Sequence, residues 1–390
     1  MKNLTIDLLG STGSIGEQAL DVIDKYGLRV RSICAGKNEK RVEEQVRKYK
    51  PAFCAMADNE AARSLAVRLA DTDTKVYAGT EGICQMIAES DADISLNAIV
   101  GQAGLAPTLA VIEAGKQLAL ANKESLVVAG ETVMKRAKER GVSIIPVDSE
   151  HCAIHQCLRA GKKQEVKRLI LTASGGPFFG KKREELEDVS AAQALAHPTW
   201  SMGAKITVDS ATLMNKGFEL IEAAHLFDVE MDRITAVVHR ESIIHSMVEY
   251  IDNSVIAQMS VPNMRSCIQY GIGAGERPDA VIEPLDLVKV GTLSFFEPDM
   301  EAFPLLGCAI TCGRAGGALP AILNAANEVA VDAFLKDQIS FGGIDRVVAS
   351  TVEEYREFSV VSSLEGILEA DREARRHAEA LCLRKGIMKA

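Results

Sequence analysis

Asp148 and Glu150 stand two apart in Val147-Asp148-Ser149-Glu150-His151, after the apolar, β-branched run Val142–Val147. Such a run favours a strand, and in extended chain two residues so spaced point the same way. Two carboxylates facing one way at a strand's end make half of a site for a hard divalent cation such as Mg²⁺ or Mn²⁺. The same residues also fit the start of a helix running on from Cys152. Asp148 or Ser149 would then accept a free backbone N–H, and Glu150 would sit at the positive helix end. Farther along, Glu219 lies four residues after Asn215 and three after Lys216, so on a helix the three share a face. Lys216 beside Glu219 reads either as an intrahelical ion pair or as a phosphate-binding cation one turn from a metal-binding carboxylate. Ser174-Gly175-Gly176 is an ordinary turn or a hydroxyl and bare N–H groups offered to an anion.

The elements that must position these groups begin with Leu4–Leu9, a strand candidate that meets Gly10-Ser11-Thr12-Gly13-Ser14-Ile15-Gly16 and then a helical pattern. Strand, glycine turn and helix are the context a dinucleotide fingerprint needs, although the spacing is G-x-x-G-x-x-G. The next strand, about Val30–Ala35, ends at Gly36-Lys37-Asn38 with Lys40 and Arg41 behind. No carboxylate occupies that tip, which favours NADP over NAD. Strands then alternate with helices through Ala52–Met56, Lys75–Tyr77, Ile94–Val100 and Gln117–Ala121 up to Val142. That alternation predicts a parallel sheet with helices on both faces and ligands at the strands' carboxyl ends. Gly10–Gly16, Gly36–Asn38, Gly101, Asn122–Glu124 and Asp148–Glu150 fall on that edge, which places the carboxylates beside a cofactor.

Beyond it, Val166–Ala173 reads as a strand. His197–Gly203 is a loop carrying the chain's only Trp, Trp200, either a water-excluding lid or a core Trp reached by a surface loop. Lys205–Ser210 reads as a strand and the following segment as a helix capped by Ser210. Ile234–His239, Ile243–Tyr250 and Ser254–Met259 read as an antiparallel meander. Prolines at 278, 284, 298 and 304 mark a linker, and helical patterns follow near 305–313, 318–335, 343–354 and 363–384. The expected organisation is α/β: a Rossmann-like NADP-binding domain over 1–147, an α+β catalytic, metal-binding and dimerisation domain with an antiparallel sheet over 148–276, a linker over 277–303, and a C-terminal helical bundle over 304–390.

Apolar residues make up 47% and charged residues 25%, and the net charge is −10. That balance fits a soluble globular protein, and with no long Lys/Arg run it argues against nucleic acid as a partner. No apolar run reaches the roughly 18 residues of a membrane span, and the first residues lack a signal-peptide pattern. The nine cysteines are scattered and read as free thiols in a reducing cytoplasm rather than as zinc ligands.

These motifs, in order, resemble one family. Gly-Ser-Thr-Gly-Ser-Ile-Gly at 10–16, Ala-Gly-Lys-Asn at 35–38, Ala-Asn-Lys-Glu-Ser at 121–125, Val-Asp-Ser-Glu-His at 147–151, Ser-Gly-Gly-Pro-Phe at 174–178, His-Pro-Thr-Trp-Ser-Met-Gly at 197–203 and Ser-Ala-Thr-Leu-Met-Asn-Lys-Gly-Phe-Glu at 210–219 are similar to those of 1-deoxy-D-xylulose 5-phosphate reductoisomerases. The resemblance implies rearrangement of a phosphorylated ketose, by retro-aldol and aldol steps, and NADPH reduction to 2-C-methyl-D-erythritol 4-phosphate in the non-mevalonate isoprenoid pathway. It implies Asp148, Glu150 and Glu219 as ligands of one Mg²⁺ or Mn²⁺, and Lys123, Ser149 and His197 around the substrate's carbon chain. Ser174, Ser210, Asn215 and Lys216 would cradle its phosphate. His197, Trp200 and Met202 would belong to a flexible flap. Thr12, Gly13, Ser14, Ile15, Gly36, Lys37, Asn38, Asn122, Glu124 and Gly203 would contact NADPH. It further implies a homodimer joined through the meander.

Overall fold

The computed structural model describes residues 4–384. They form two compact units: residues 4–125, Glu131–Gln156 and Asn263–Pro284 in one, Leu126–Gly130, Cys157–Pro262 and residues 285–384 in the other. The expectation for the first three residues lies outside the described ones. Among the described residues no helix is long and apolar enough to cross a membrane.

In chain order the first half runs β1 (Thr5–Leu9), α1 (Ser14–Tyr26), β2 (Arg29–Ala35), α2 (Glu39–Tyr49), β3 (Phe53–Met56), α3 (Asn59–Arg68), β4 (Lys75–Ala78), α4 (Gly79–Glu89), β5 (Ile94–Asn97), α5 (Leu105–Glu113), β6 (Gln117–Leu120), α6 (Glu124–Arg140), β7 (Ile144–Pro146) and α7 (Ser149–Cys157). The strands pair in the order β4-β3-β2-β1-β5-β6-β7, all parallel. The order reverses between β1 and β5, the position at which an open parallel sheet leaves a crevice for a ligand. Helices cover the sheet, so its strands are near-continuous apolar runs. Ile6, Leu8, Ile33 and Leu96 share one core with Ala19, Ile23, Val42 and Leu65 of the helices. A later helix, α11 (Met264–Ile272), which the sequence pattern did not single out, adds Ile268 and Ile272 to that core. Gly271 permits its approach, because a Cβ there would stand 2.7 Å from Val147 Cγ2.

A fully paired charge cluster is buried in this apolar unit. Asp7 on β1 is fully buried. It accepts hydrogen bonds from Ser32 Oγ at 2.7 Å, Ser90 Oγ at 2.5 Å, Ser95 Oγ at 3.0 Å and Lys116 Nζ at 2.8 Å. Lys116 also donates to Ile87 O at 2.6 Å. A buried carboxylate is tolerable only when so fully paired.

The second unit contains β8 (Val166–Ala173), α8 (Ala191–Ala194), α9 (Ala204–Ala211), α10 (Met214–Phe227), β9 (Ile234–Val238), β10 (Ile244–Tyr250) and β11 (Val255–Met259), then α12 (Leu287–Val290), α13 (Pro304–Ala315), α14 (Leu319–Leu335), α15 (Phe341–Glu354) and α16 (Leu364–Cys382). The last four helices lie within a few residues of the spans expected from their periodicity. Two expectations are corrected. The sheet order is β11-β10-β8-β9, with β8 and β9 parallel. Only β10–β11 is the expected hairpin, and β8 takes the place beside β9 that the meander assigned to β10. Segment 205–210 is helical, not extended. Its β-branched Ile206, Thr207 and Val208 favour a strand locally, but burial of Thr207, Val208 and Ala211 on one side follows helical spacing, and tertiary packing wins. Ser210 therefore lies in the last turn of α9. The residue before α10 is Leu213, in the left-handed region at φ 59° and without a side-chain cap.

Replacing Lys116 by Met should leave Asp7 buried and unpaired and cost about 3–5 kcal/mol of unfolding free energy. Urea denaturation checks this, and a loss below about 1 kcal/mol would show that the pair contributes little.

Candidate active site

Within the first unit, β1 delivers the chain into Gly10, at φ +89°, where a Cβ would lie 2.6 Å from Ala98 O at the end of β5. Gly10 and Ser11 donate their N–H groups to Cys34 O, each at 2.9 Å, which fixes the loop to β2. Gly16 presses on the same loop, where an added Cβ would collide with Gly10 O and Ser11. Glycine is thus required at both ends of the motif. Gly13 precedes α1 without any side-chain cap, so no side chain claims the first-turn N–H groups, the arrangement that suits an anion. Gly13 and Ser14 are exposed, Thr12 and Ile15 partly so. At the end of β2, Gly36 and Lys37 are exposed and Asn38 caps α2 by accepting Arg41 N–H at 3.2 Å. The exposed Arg41 guanidinium is held by Glu17 and Glu44, each at 2.6 Å, and Lys37 and Lys40 are exposed beside it.

Asn122 is buried. Its amide donates to Ile99 O at 2.7 Å, Gly101 O at 2.9 Å and Glu124 Oε2 at 3.0 Å, and its Oδ1 accepts Ser125 N–H at 3.0 Å. The side chain therefore ties the loop after β5 to the start of α6. Lys123, next in sequence, reaches Asp148 Oδ2 at 2.7 Å, with both side chains almost wholly buried.

Asp148 is the pivot of this edge. His151 Nδ1 meets its Oδ1 at 3.0 Å, Glu150 N–H donates to the same oxygen at 3.3 Å, and Cys152 N–H donates to Asp148 O at 2.8 Å. The cap anticipated as one reading of the sequence is real, and it coexists with a largely buried ionised carboxylate. Burial pushes the Asp148 carboxyl up, but Lys123 and then His151 outweigh it and hold the group well below the usual carboxylate range. Glu150 stands in the first helical turn, and Ser149 Oγ donates to its Oε2 at 2.5 Å.

Within the second unit, the loop after β8 carries Ser174, whose Oγ lies 2.9 Å from His197 Nε2. His197 Nδ1 accepts the N–H groups of Thr199 at 3.2 Å and Trp200 at 2.9 Å, so Nε2 bears the hydrogen and donates to Ser174. Burial, then the charge of Arg240, push the His197 ring down to about 4, which keeps it neutral at pH 7. Trp200 faces the His245 ring at 6.2 Å. Gly203 opens α9, accepting from Thr207 N–H at 3.1 Å. Gly176 backs onto the end of α9, where a Cβ would lie 2.6 Å from Ser210 O. On α10, Lys216 and Glu219 form a buried ion pair and Asn215 donates to Glu219 Oε1. Ser174, His197, Ser210, Asn215, Lys216 and Glu219 thus lie on the β8 loop, the 197–203 loop, α9 and α10 of one unit.

The sequence reasoning missed several supporting residues. His151 was signalled by its position three after Asp148. Arg240, in the turn after β9, carries no periodic signal. Asp209, buried, accepts from Asn327 Nδ2 at 2.7 Å and pairs with Lys205 at 3.0 Å. That ties the α9 turn bearing Ser210 to α14, and no local pattern reveals a contact 118 residues long.

Three family profiles match: 1-deoxy-D-xylulose 5-phosphate reductoisomerase over residues 6–130, its C-terminal domain over 144–227, and the DXP reductoisomerase C-terminal domain over 259–377. A 1-deoxy-D-xylulose 5-phosphate reductoisomerase of Clostridium botulinum (strain Loch Maree / Type A3) is 49% identical over 381 residues, 97% of this chain and 98% of the relative. The chain belongs to the 1-deoxy-D-xylulose 5-phosphate reductoisomerase family. The reductoisomerase from Zymomonas mobilis, solved in complex with NADPH, is 40% identical with a TM-score of 0.90 over 98% of this chain and 100% of that one. A DOX-P reductoisomerase solved with NADPH, fosmidomycin and magnesium is 37% identical with a TM-score of 0.90 over 97% and 98%. The reductoisomerase family also fixes the kind of reaction, reductive rearrangement of 1-deoxy-D-xylulose 5-phosphate.

His245 supplies a pH test. Burial lowers its ring to about 4, against about 6.5 in an unfolded chain. Between those values the unfolded state binds the proton more readily, so folding stability falls as pH drops from about 6.5 to 4, by about 3 kcal/mol for this ring. Replacing His245 by Gln should flatten that slope in denaturation curves; an unchanged slope would assign it to other groups.

Proposed function

We infer that this chain is an NADPH-dependent oxidoreductase that converts 1-deoxy-D-xylulose 5-phosphate to 2-C-methyl-D-erythritol 4-phosphate with the help of magnesium. Full-length similarity to reductoisomerases, two of them solved with NADPH and one of these also with magnesium, supports this reading. For NADPH we assign Thr12, Gly13, Ser14 and Ile15 to the pyrophosphate, and Gly36, Lys37 and Asn38 to the ribose phosphate, with Asn122, Glu124 and Gly203 completing the contacts. The open N-terminus of α1 and the exposed Lys37 support it.

Asp148, Glu150 and Glu219 are assigned to one divalent ion, Mg²⁺ or Mn²⁺. The donor chemistry fits, since all three are carboxylates and Asp148 is held ionised in a buried position. When bound, the ion supplies Lewis acidity to the ketose oxygens, worth several kcal/mol, and NADPH supplies the hydride. Lys123 keeps Asp148 ionised and offers an ammonium to a substrate oxygen, with Ser149 and His197 beside the carbon chain. Ser174, Ser210, Asn215 and Lys216 take the phosphate, whose remote binding energy orients the reacting end. Trp200 and Met202 close over it with His197 and exclude water. We further propose NADPH binding over 1–147, catalysis, metal binding and dimerisation over 148–276, a linker over 277–303 and a helical domain from 304, with Asn263–Pro284 packed into the first unit. The homodimer reading draws support from β11, an edge strand with exposed Val255 and Ile256. The free cysteines suit a cytoplasmic setting.

The observation that carries the metal-dependent reading is the buried, lysine-held ionised Asp148. NADPH oxidation should require both 1-deoxy-D-xylulose 5-phosphate and a divalent ion, stop on chelation and resume with Mg²⁺. Activity that survives exhaustive chelation would overturn it. Glu219→Gln should abolish turnover while leaving NADPH affinity within about twofold, as expected of a group that acts only on the reacting end; parallel loss of both would contradict the ligand assignment.

A further inference from the structure

The loop that carries Ser174 has an unusual backbone. Gly175 and Gly176 both lie in the left-handed region, at φ +78° and +65°. A turn of that kind can present polar backbone groups to an anion, and where its carbonyls point decides whether an anion is attracted or repelled. A carbonyl oxygen facing a phosphate repels it. Arg240, in the turn between β9 and β10, binds two of these carbonyls with one nitrogen: Nη1 donates to Ser174 O at 2.6 Å and to Gly176 O at 2.8 Å. Its guanidinium lies over the Phe179 ring, 5.0 Å from the centroid, and that ring lies on the same chain segment. Cation and loop are thus fixed to each other at both ends of a six-residue stretch. On the opposite side of the same residue, Ser174 Oγ accepts Gly176 N–H at 3.3 Å and contacts His197 at 2.9 Å. The loop backbone, and with it the Ser174 hydroxyl, is therefore held by a side chain that is absent from every motif the sequence offered.

The geometry points to Arg240 as a positioning residue for substrate phosphate: by holding the carbonyls of Ser174 and Gly176 it presets the Ser174 loop to receive the anion. This rests on the assignment of Ser174 to the phosphate cradle. Arg240 acts through the loop, and its charge adds long-range attraction for a phosphorylated substrate.

The test is steady-state kinetics of the full-length enzyme with 1-deoxy-D-xylulose 5-phosphate, NADPH and Mg²⁺. Arg240→Met keeps the stem over Phe179 and removes charge and donors. It should raise KM for the ketose phosphate about tenfold, in line with two charge-assisted hydrogen bonds lost from a preset loop. kcat should stay within about twofold and KM for NADPH should not move, because the loop touches the remote end of the substrate. Arg240→Lys, which restores a cationic donor, should bring KM back to within about threefold of the parent. Should Arg240→Met fail to fold, Arg240→Leu, which also lacks charge and donors, takes its place with the same expectations. Ser174→Ala separates the two readings. If it raises KM and Arg240→Met does not, the cradle stands and the Arg240 role is overturned. If Ser174→Ala leaves KM unchanged, the cradle reading falls and the Arg240 role falls with it. A fall in kcat with unchanged KM in Arg240→Met, or a KM in Arg240→Lys as high as in Arg240→Met, also overturns it.

Discussion

The ion pair between Lys123 and Asp148 is the constraint on which the chemistry of the first unit depends. A carboxylate with a nearly buried side chain would ordinarily take up a proton, because desolvation disfavours its charge. Lys123 at 2.7 Å reverses that preference, and His151 and the Glu150 N–H complete the shell. The same oxygen atoms that could face a cation thereby open helix α7. The stretch therefore looks like a cap from its local sequence and like a candidate metal ligand from its place on the sheet. The cap is what the contacts show; a cap fixes the carboxylate's direction, and a fixed direction is what a ligand would need.

The second unit repeats the logic in another form. Glu219 is buried against Lys216 on one turn of α10 and receives Asn215 as well. Its neighbouring loops are arranged around a neutral His197 that donates to Ser174. Neutrality matters there: a histidine with ordinary basicity would be partly charged near pH 7, whereas burial keeps this ring an uncharged donor to Ser174. The apolar framework of each unit is what makes these polar groups decisive, because a low local dielectric strengthens every satisfied contact and penalises every unsatisfied one.

Much of this was legible in the sequence, for reasons that differ by element. The parallel sheet was readable because strands buried on both faces are near-continuous apolar runs separated by helical patterns. The glycine motif was readable because close backbone approach admits only glycine at Gly10 and Gly16. The C-terminal helices follow amphipathic spacing. Segment 205–210 was misread because β-branched residues report local preference, whereas its state is decided by what it packs against. The β8–β9 pairing was misread because a hairpin-like order of strands says nothing about a strand that enters from an earlier part of the chain. Arg240, Asp209 with Asn327, and the Asp7–Lys116 pair were invisible because each acts across tens of residues of sequence. The candidate ligands themselves were legible, but only in order along the chain and with the family resemblance beside them.

The central claim is that a lysine-held, ionised Asp148 serves a divalent ion. It is tested most directly by titrating the apoprotein with Mn²⁺ at pH 7 and counting bound ions by electron paramagnetic resonance. The account predicts one ion per chain, with affinity reduced at least about a hundredfold in Asp148→Asn, as loss of a ligating carboxylate requires. Binding of undiminished strength in Asp148→Asn would contradict it.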